Sequence, residues 1–570
     1  MTFRVGLSVL AAFLLGVYVL FQIATRPPEA PAHQVFVNGE VLTMDGGNTV
    51  AQAVSVRGEL IEAVGTSEEI LALTGPETEV YDLRGRTLMP GFVDAHGHFP
   101  GSGLVIVAAD LNSPPIGDIE NMEQLLARLA AFGEANPDGW LSGFGYDDTL
   151  IAEGRHPTRD DLDKVSSTRP IVINHISGHL SVVNSAALAE LGFDETTPDP
   201  KGGLIQRDPK SPDGRRPNGV LEETAARGAV MRVTDIGVMG GVRMVTHAAR
   251  EYLQVGVTTA SAGGMSKVVG QLLGALSEYN VFPLRVAMFP LMEEVEADVL
   301  AGEWRPENLA AGRLTLPRMK IIADGSIQGY TGYLSEPYYE PYKGDVTYRG
   351  YPSVLREDLF TQVEGLHRQR IQYAIHVNGD ASVEDALDAI EAAQEAVPWP
   401  EARPLFIHAQ MARKDQVQRM AELGVTPSFF SSHTYYWGDR HAAIFMGPER
   451  AQNMSPARWA LDAGVRYSSH ADTPVTPMLP LQVVWSQVNR ETTSGAVLGP
   501  HQRVTPMEAL RAVTIDAAWQ VFMDNEVGSI EPGKRADLIV LSGSPLVAGD
   551  IRDLVVERTM IDGAEVYSRR

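Results

Sequence analysis

Residues 88–101 read LMPGFVDAHGHFPG. An apolar run ends in Asp94, His96 and His98, spaced two apart. On an extended strand a period of two puts all three side chains on one face. If the strand belongs to a parallel barrel, both imidazoles point inward at its C-terminal mouth, where such folds place their chemistry. The competing reading is a pair of hydrogen-bonded structural histidines.

Seven further segments read as strands in the same sense. With Phe92–His98 they are Val257–Ala262, Leu284–Pro290, Arg318–Asp324, Gln372–Asn378, Pro404–Gln410, Val425–Ser431 and Val465–Asp472. Helical patterns such as SVEDALDAIEAAQEA (382–396) and KDQVQRMAELG (414–424) separate most of them. Eight strand–helix alternations predict a (β/α)8 TIM barrel over residues 91–524. Residues 101–252, rich in Gly, Pro and Asp, become a large insertion after strand 1 that covers the mouth.

Three of these strands also end in candidate ligands. YAIHVNGD places His376 at a strand end and PLFIHAQ does so with His408. VRYSSHADTPV ends with Asp472, and His470 shares its face. Each alone reads as a satisfied histidine or a turn aspartate. Together they set His, His, His and Asp at the strand ends of one barrel, and neutral imidazole and carboxylate suit a divalent metal such as zinc. The chain has no cysteine. That removes disulfides, thiolate nucleophiles and Cys-based zinc sites together.

The ends have a different texture. HQVFVNGEVLTMD (33–45), AQAVSVRGELIEAVG (51–65) and EVYDLRGRTLMPG (79–91) alternate and break at Gly, as do GSIEPGKRADLIVLSGSP (528–545) and DLVVERTMIDGAEVY (553–567). Neither end suffices for a sheet pair. One small β-sandwich built from residues 33–90 and 525–570 is the simplest solution. Residues 1–32 stand apart. Val5–Ile23 is uncharged and apolar, and its nineteen residues span about 28 Å as a helix. An N-terminal membrane anchor fits that length; a cleaved signal peptide fits Ala30-Pro31-Ala32. Either places the remainder in an exported compartment, membrane-anchored or periplasmic/extracellular.

At 570 residues the chain suits a large barrel plus an accessory domain. A formal net charge of −25 argues against nucleic acid as a partner. No P-loop appears, and no GxGxxG lies between a strand and a helix.

The constellation resembles the amidohydrolase superfamily. Its barrel carries HxH on strand 1, His on strands 5 and 6, and Asp on strand 8. LMPGFVDAHGH and GSIEPGKRADLIVL are similar to that family's bookends. MKIIADGSIQGYTGYLSEPY (319–338), GHLSVVNSAAL (178–188), PTRDDLD (157–163) and GGLIQRDP (202–209) are similar to segments of the branch that contains N-substituted formamide deformylase. The resemblance implies one or two divalent metal ions, zinc by ligand type, held by His96, His98, His376, His408 and Asp472. It also points to Lys320, on strand 4, where many members carry a carboxylated lysine between two metals. The other readings of Lys320 are contact with a substrate carboxylate or pairing with Asp324. The implied activity is hydrolysis of a non-peptide C–N bond — amide, formamide or cyclic amide — in a small molecule. Asp472 takes a proton from the attacking water and returns it to the leaving nitrogen. The alternatives are the same site acting on a lactone or other ester, and a non-catalytic membrane-tethered binding protein. Substrate contacts are expected from His179, in the segment INHISGHLSVVN (173–184), from His433 and Trp437 in SFFSSHTYYWGDR (428–440), and from His470.

Overall fold

A computed structural model describes residues 28–233, 236–305 and 309–569. The anchor expectation at Val5–Ile23 lies outside them. Among the described residues no helix is long and apolar enough to cross a membrane.

The centre is α/β. Parallel strands occur in all eight expected segments: β1 Phe92–Val93, β2 Val257–Met265, β3 Arg285–Pro290, β4 Met319–Ile322, β5 Tyr373–Val377, β6 Leu405–His408, β7 Thr426–Phe429 and β8 Ser468–Ser469. They form two sheets. In one, β1 pairs with β2 and β2 with β3, with Leu314–Thr315 added beside β3. In the other, β4 to β8 follow chain order. The registers run Lys320↔Ala374, Val377↔His408, Ile407↔Ser428 and Phe429↔Ser469. The two sheets touch at both seams. Leu291 bridges Lys320 in parallel, and the His98 N–H donates to Thr473 O at 2.7 Å. Strands buried on both faces need continuous apolar runs, as in YAIHV and LFIH.

Each intervening helix turns one stripe inward. Asp380–Ala396 buries Val383, Ala386, Leu387, Ile390 and Ala393, the spacing of one helical face. Lys414–Leu423 buries Val417 and Met420, and Gly424 ends it in the left-handed region at φ +67°, where glycine carries no Cβ penalty.

Most of the expected strands are shorter than anticipated, and two are cut to a pair of residues. The ladder of β1 stops at Val93, and that of β8 at Ser469. His96, His98 and Asp472 therefore sit on the turns that leave the sheet, and Asp472 itself is left-handed at φ +56°. Turn geometry, rather than strict alternation, aims them. Asp94 shows this: Ser261 N–H donates to its carboxylate, beside Gly97.

The chain ends build two neighbouring sheets. One holds Leu60–Gly65, Ala53–Arg57, Gln34–Val37 and Glu79–Asp82 in that order. The other runs Ala564–Ser568, Val556–Ile561, Leu538–Leu541, Thr87–Pro90, Glu40–Leu42 and Val50–Ala51. Phe36, Val54 and Val56 from the first share one apolar core with Leu88, Leu538 and Met560 from the second. Arg285 on β3 ties these sheets to the centre through Asp537, at 3.0 Å, and Asp562.

Between β1 and β2 the chain is not loop alone. It forms a six-stranded sheet: Gly203–Arg207, Pro217–Glu223, Leu180–Val183, Ile171–His175, Leu141–Tyr146 and Ala109–Asp110. Leu111, Leu125, Leu129, Ile171, Ile173 and Val220 give it a core of its own. Glycine-rich strands such as LSGFGY weaken the periodicity that would announce them.

Candidate active site

The C-terminal ends of the parallel strands converge on Asp472. His98 Nε2 lies 3.2 Å from its Oδ1 and His96 Nε2 3.4 Å. His408 Nε2 lies 3.9 Å from its Oδ2. The His98 orientation is set from behind, because its Nδ1 hydrogen-bonds Gly263 O at 2.7 Å and leaves Nε2 facing inward. Gly263 also makes room for His96: a Cβ there would lie 2.2 Å from His96 Cε1. His408, at φ +73° on the last position of β6, turns its Nδ1 to His470 Nε2 at 3.1 Å. His470 in turn meets Ser428 Oγ at 2.8 Å.

His376 completes the ring of imidazoles. Its ring centroid is 4.7 Å from that of His408 and 4.9 Å from that of His179. Asp324 stands behind it, 3.4 Å from Nδ1. The same carboxylate accepts backbone N–H groups from Tyr333, Asn378 and Gly379 at 3.0, 2.9 and 2.8 Å. Lys320 takes a different partner from the Asp324 envisaged as one alternative. Its Nζ is 3.1 Å from His96 Nε2, inside the ring.

The electrostatics put these groups in ligand-ready states. Burial, reinforced by neighbouring cations, holds His96 and His408 well below the usual histidine range. His376 is lowered in the same way. Burial opposes ionisation of Asp472, but the nearby His98, with His470 and Lys320, outweighs it and holds its carboxyl at about 2. Neutral imidazoles around an ionised carboxylate are the forms that bind a cation. Burial pushes the Lys320 amine down to about 8, only partly offset by Asp472.

The donor set fits a divalent metal. His96, His408 and Asp472 each offer a ligand atom within 4.8 Å of the others. Asp472 Oδ1 is buried without a hydrogen bond, and so is His376 Nδ1. A buried carboxylate oxygen left unpaired is costly unless a cation meets it. A second cluster, Asp147, Asp148 and His175, has comparable spacing but is internally satisfied. Asp147 takes Arg440 at 2.7 Å and Trp437 Nε1 at 3.0 Å, and Asp148 takes His175 Nε2 at 3.1 Å.

The four expected substrate contacts divide. His179 and His470 border the ring. His433 and Trp437 lie one layer out, 1% exposed each, stacked at 4.6 Å. His433 meets Gln410 at 3.0 Å and His441 at 2.8 Å. Sequence reasoning did not find Gly263, Ser428 or Glu223, the last of which sits 2.9 Å from His179. Only a shared strand end marks them, and that requires the sheet order.

An α/β fold with a buried His/Asp centre suited to a divalent cation defines a class of metal-dependent hydrolases. The chain belongs to the Amidohydrolase family, whose model matches residues 79–567. It is a hydrolase of carbon–nitrogen bonds. It is 31% identical to N-substituted formamide deformylase of Arthrobacter pascens over 94% of this chain and 98% of that protein. It is 26% identical to the putative amidohydrolase YtcJ of Bacillus subtilis over 94% of this chain and 99% of that one. Among solved structures, an uncharacterized metal-dependent hydrolase from Pyrococcus horikoshii shares the fold. Its TM-score is 0.71 at 23% identity, over 91% of this chain and 99% of that one.

Proposed function

We propose that this enzyme hydrolyses an N-substituted formamide or a closely related small non-peptide amide at a zinc centre. The observation that carries the reading is the unpaired, buried Asp472 Oδ1 with His96 and His98 Nε2 turned toward it. The likeness to a formamide deformylase over nearly the whole of both chains supports the substrate class. In this reading the two parallel sheets close into one eight-stranded barrel, with residues 101–252 inserted after β1 and a sandwich made from both ends.

His96, His98, His376, His408 and Asp472 would hold the metal, and Lys320, as a carbamate, would add oxygen ligands to the same centre. A bound divalent cation supplies a water of lowered pKa and polarises the scissile carbonyl. Asp472 would take up a proton at its carboxylate and return it to the departing nitrogen, so that an amine leaves rather than an amide anion. Asp324 holds His376 in place. His179 and His470 face the substrate side, and His433 and Trp437 pack behind His470 through Phe430. The apolar run Val5–Ile23 would tether the enzyme to a membrane on the exported side.

The test is hydrolysis of a panel of N-alkyl formamides, N-alkyl acetamides and matching formate esters by the zinc-loaded enzyme. Release of formate and amine in stoichiometric amounts is expected. Turnover of the esters alone would overturn the amide reading.

A further inference from the structure

The segment between β1 and β2 reaches the site through one pair of residues. Glu223 ends the strand Pro217–Glu223, and His179 immediately precedes the strand Leu180–Val183. The two strands are antiparallel neighbours. Glu223 N–H donates to His179 O at 2.9 Å, which fixes the residues side by side. Their side chains then meet, with His179 Nδ1 2.9 Å from Glu223 Oε2.

Three features set this pair apart from an ordinary surface ion pair. Glu223 is buried, its side chain 3% exposed against 15% for His179. Its backbone is left-handed, at φ +49°, which a non-glycine residue adopts only where its surroundings hold it there. The loop after β4 yields space to it: a Cβ on Gly325 would lie 2.1 Å from Glu223 Oε1. The histidine it holds lies against His376, 4.9 Å between ring centroids. With Nδ1 engaged, the remaining ring nitrogen, Nε2, has no hydrogen-bond partner among the described residues.

We propose that Glu223 is a positioning residue that fixes the ring of His179, so that Nε2–H donates to the carbonyl oxygen of the substrate as charge develops there. The chemistry is that of a preorganised donor aimed at an oxyanion. It rests on the amide-hydrolysis reading above. It also gives the six-stranded insertion a task beyond cover, since both members of the pair come from it.

A double-mutant cycle tests this on the zinc-loaded enzyme with N-cyclohexylformamide as substrate. H179A and E223Q should each lower kcat by about 10–100-fold with KM little changed. The double variant should fall no further than the weaker single variant, because the two residues act as one. E223D, which keeps the carboxylate, should recover part of the loss. Multiplicative losses would show that Glu223 acts structurally and would overturn the proposal. An independent readout is the downfield imidazole N–H proton resonance of the full chain. A signal missing in H179A should also be lost or moved in E223Q; its persistence unchanged in E223Q would overturn the pairing. If the wild-type enzyme turns over no formamide, the functional reading falls, and the resonance still decides the pair.

Discussion

The amine of Lys320 lies 3.1 Å from Nε2 of His96, inside the ring of histidines at the strand ends. Burial lowers its pKa to about 8, so a sizeable fraction is neutral near physiological pH. The neutral amine is the form to which carbon dioxide adds. We expect the metal-loaded protein to carry a carbamate at this position, seen as the added mass of one carbon dioxide under native ionisation. K320A should lose metal, and activity by about 10²–10³-fold, the scale of one lost charge-stabilising group. Bicarbonate or a short carboxylic acid should restore part of both. Unchanged metal stoichiometry in K320A would show that the lysine is not a bridge.

A second prediction concerns the joint between the central sheets and those built from the chain ends. Arg285 donates to both oxygens of Asp537, and also to Asp562, which pairs with Arg313 as well. Arg285→Met would leave the buried Asp537 carboxylate without its cation and should cost about 3–5 kcal/mol in urea denaturation. Burial raises the Asp562 pKa, but Arg285 and then Arg313 outweigh it and hold the carboxyl below its usual range. A lowered folded-state pKa contributes stability above the unfolded value, about 4, and loses it as pH falls further. The acid limb of stability against pH should therefore be shallower in Arg285→Met than in the wild type.

Much of the candidate site could be read from the chain because parallel strands buried on both faces leave unbroken apolar runs, and several of these runs lead into His or Asp. YAIHV and LFIH placed His376 and His408 for that reason. The insertion was not legible in the same way. Its strands are interrupted by Gly143, Gly145 and Gly219, and much of its pairing joins segments distant in sequence, as between Leu180 and Glu222. Glu223 was missed because its role depends on that pairing and on a left-handed backbone, neither of which leaves a periodic trace. The orienting carbonyl of Gly263 has no side chain to read at all.

Trp437 separates packing from substrate contact. It is 1% exposed, stacks on His433 and donates to Asp147. Trp437→Phe leaves that carboxylate short of one donor and should cost about 1–3 kcal/mol in stability. KM for a formamide should change by less than about threefold, since a uniform binding contact would show there first. A large KM increase at unchanged stability would place the indole against substrate instead.

For the N-terminus, we expect a chain beginning at Pro28 to fold and to retain full activity. Ala32 O still accepts the Gly58 N–H at 3.1 Å in that form. The full-length protein should sediment with membranes and require detergent. Recovery of the uncleaved full-length chain in the soluble fraction would contradict the anchor.

The central claim is that His96, His98, His376, His408 and Asp472 form one metal centre that hydrolyses a formamide. Elemental analysis paired with a formate-release assay, on the wild type and on His96→Ala, tests it most directly. One or two zinc ions are expected per wild-type chain, with metal and formate release lost together in the variant or after chelation, and both restored to the wild type by zinc. Full formate release from a metal-free chain would contradict it.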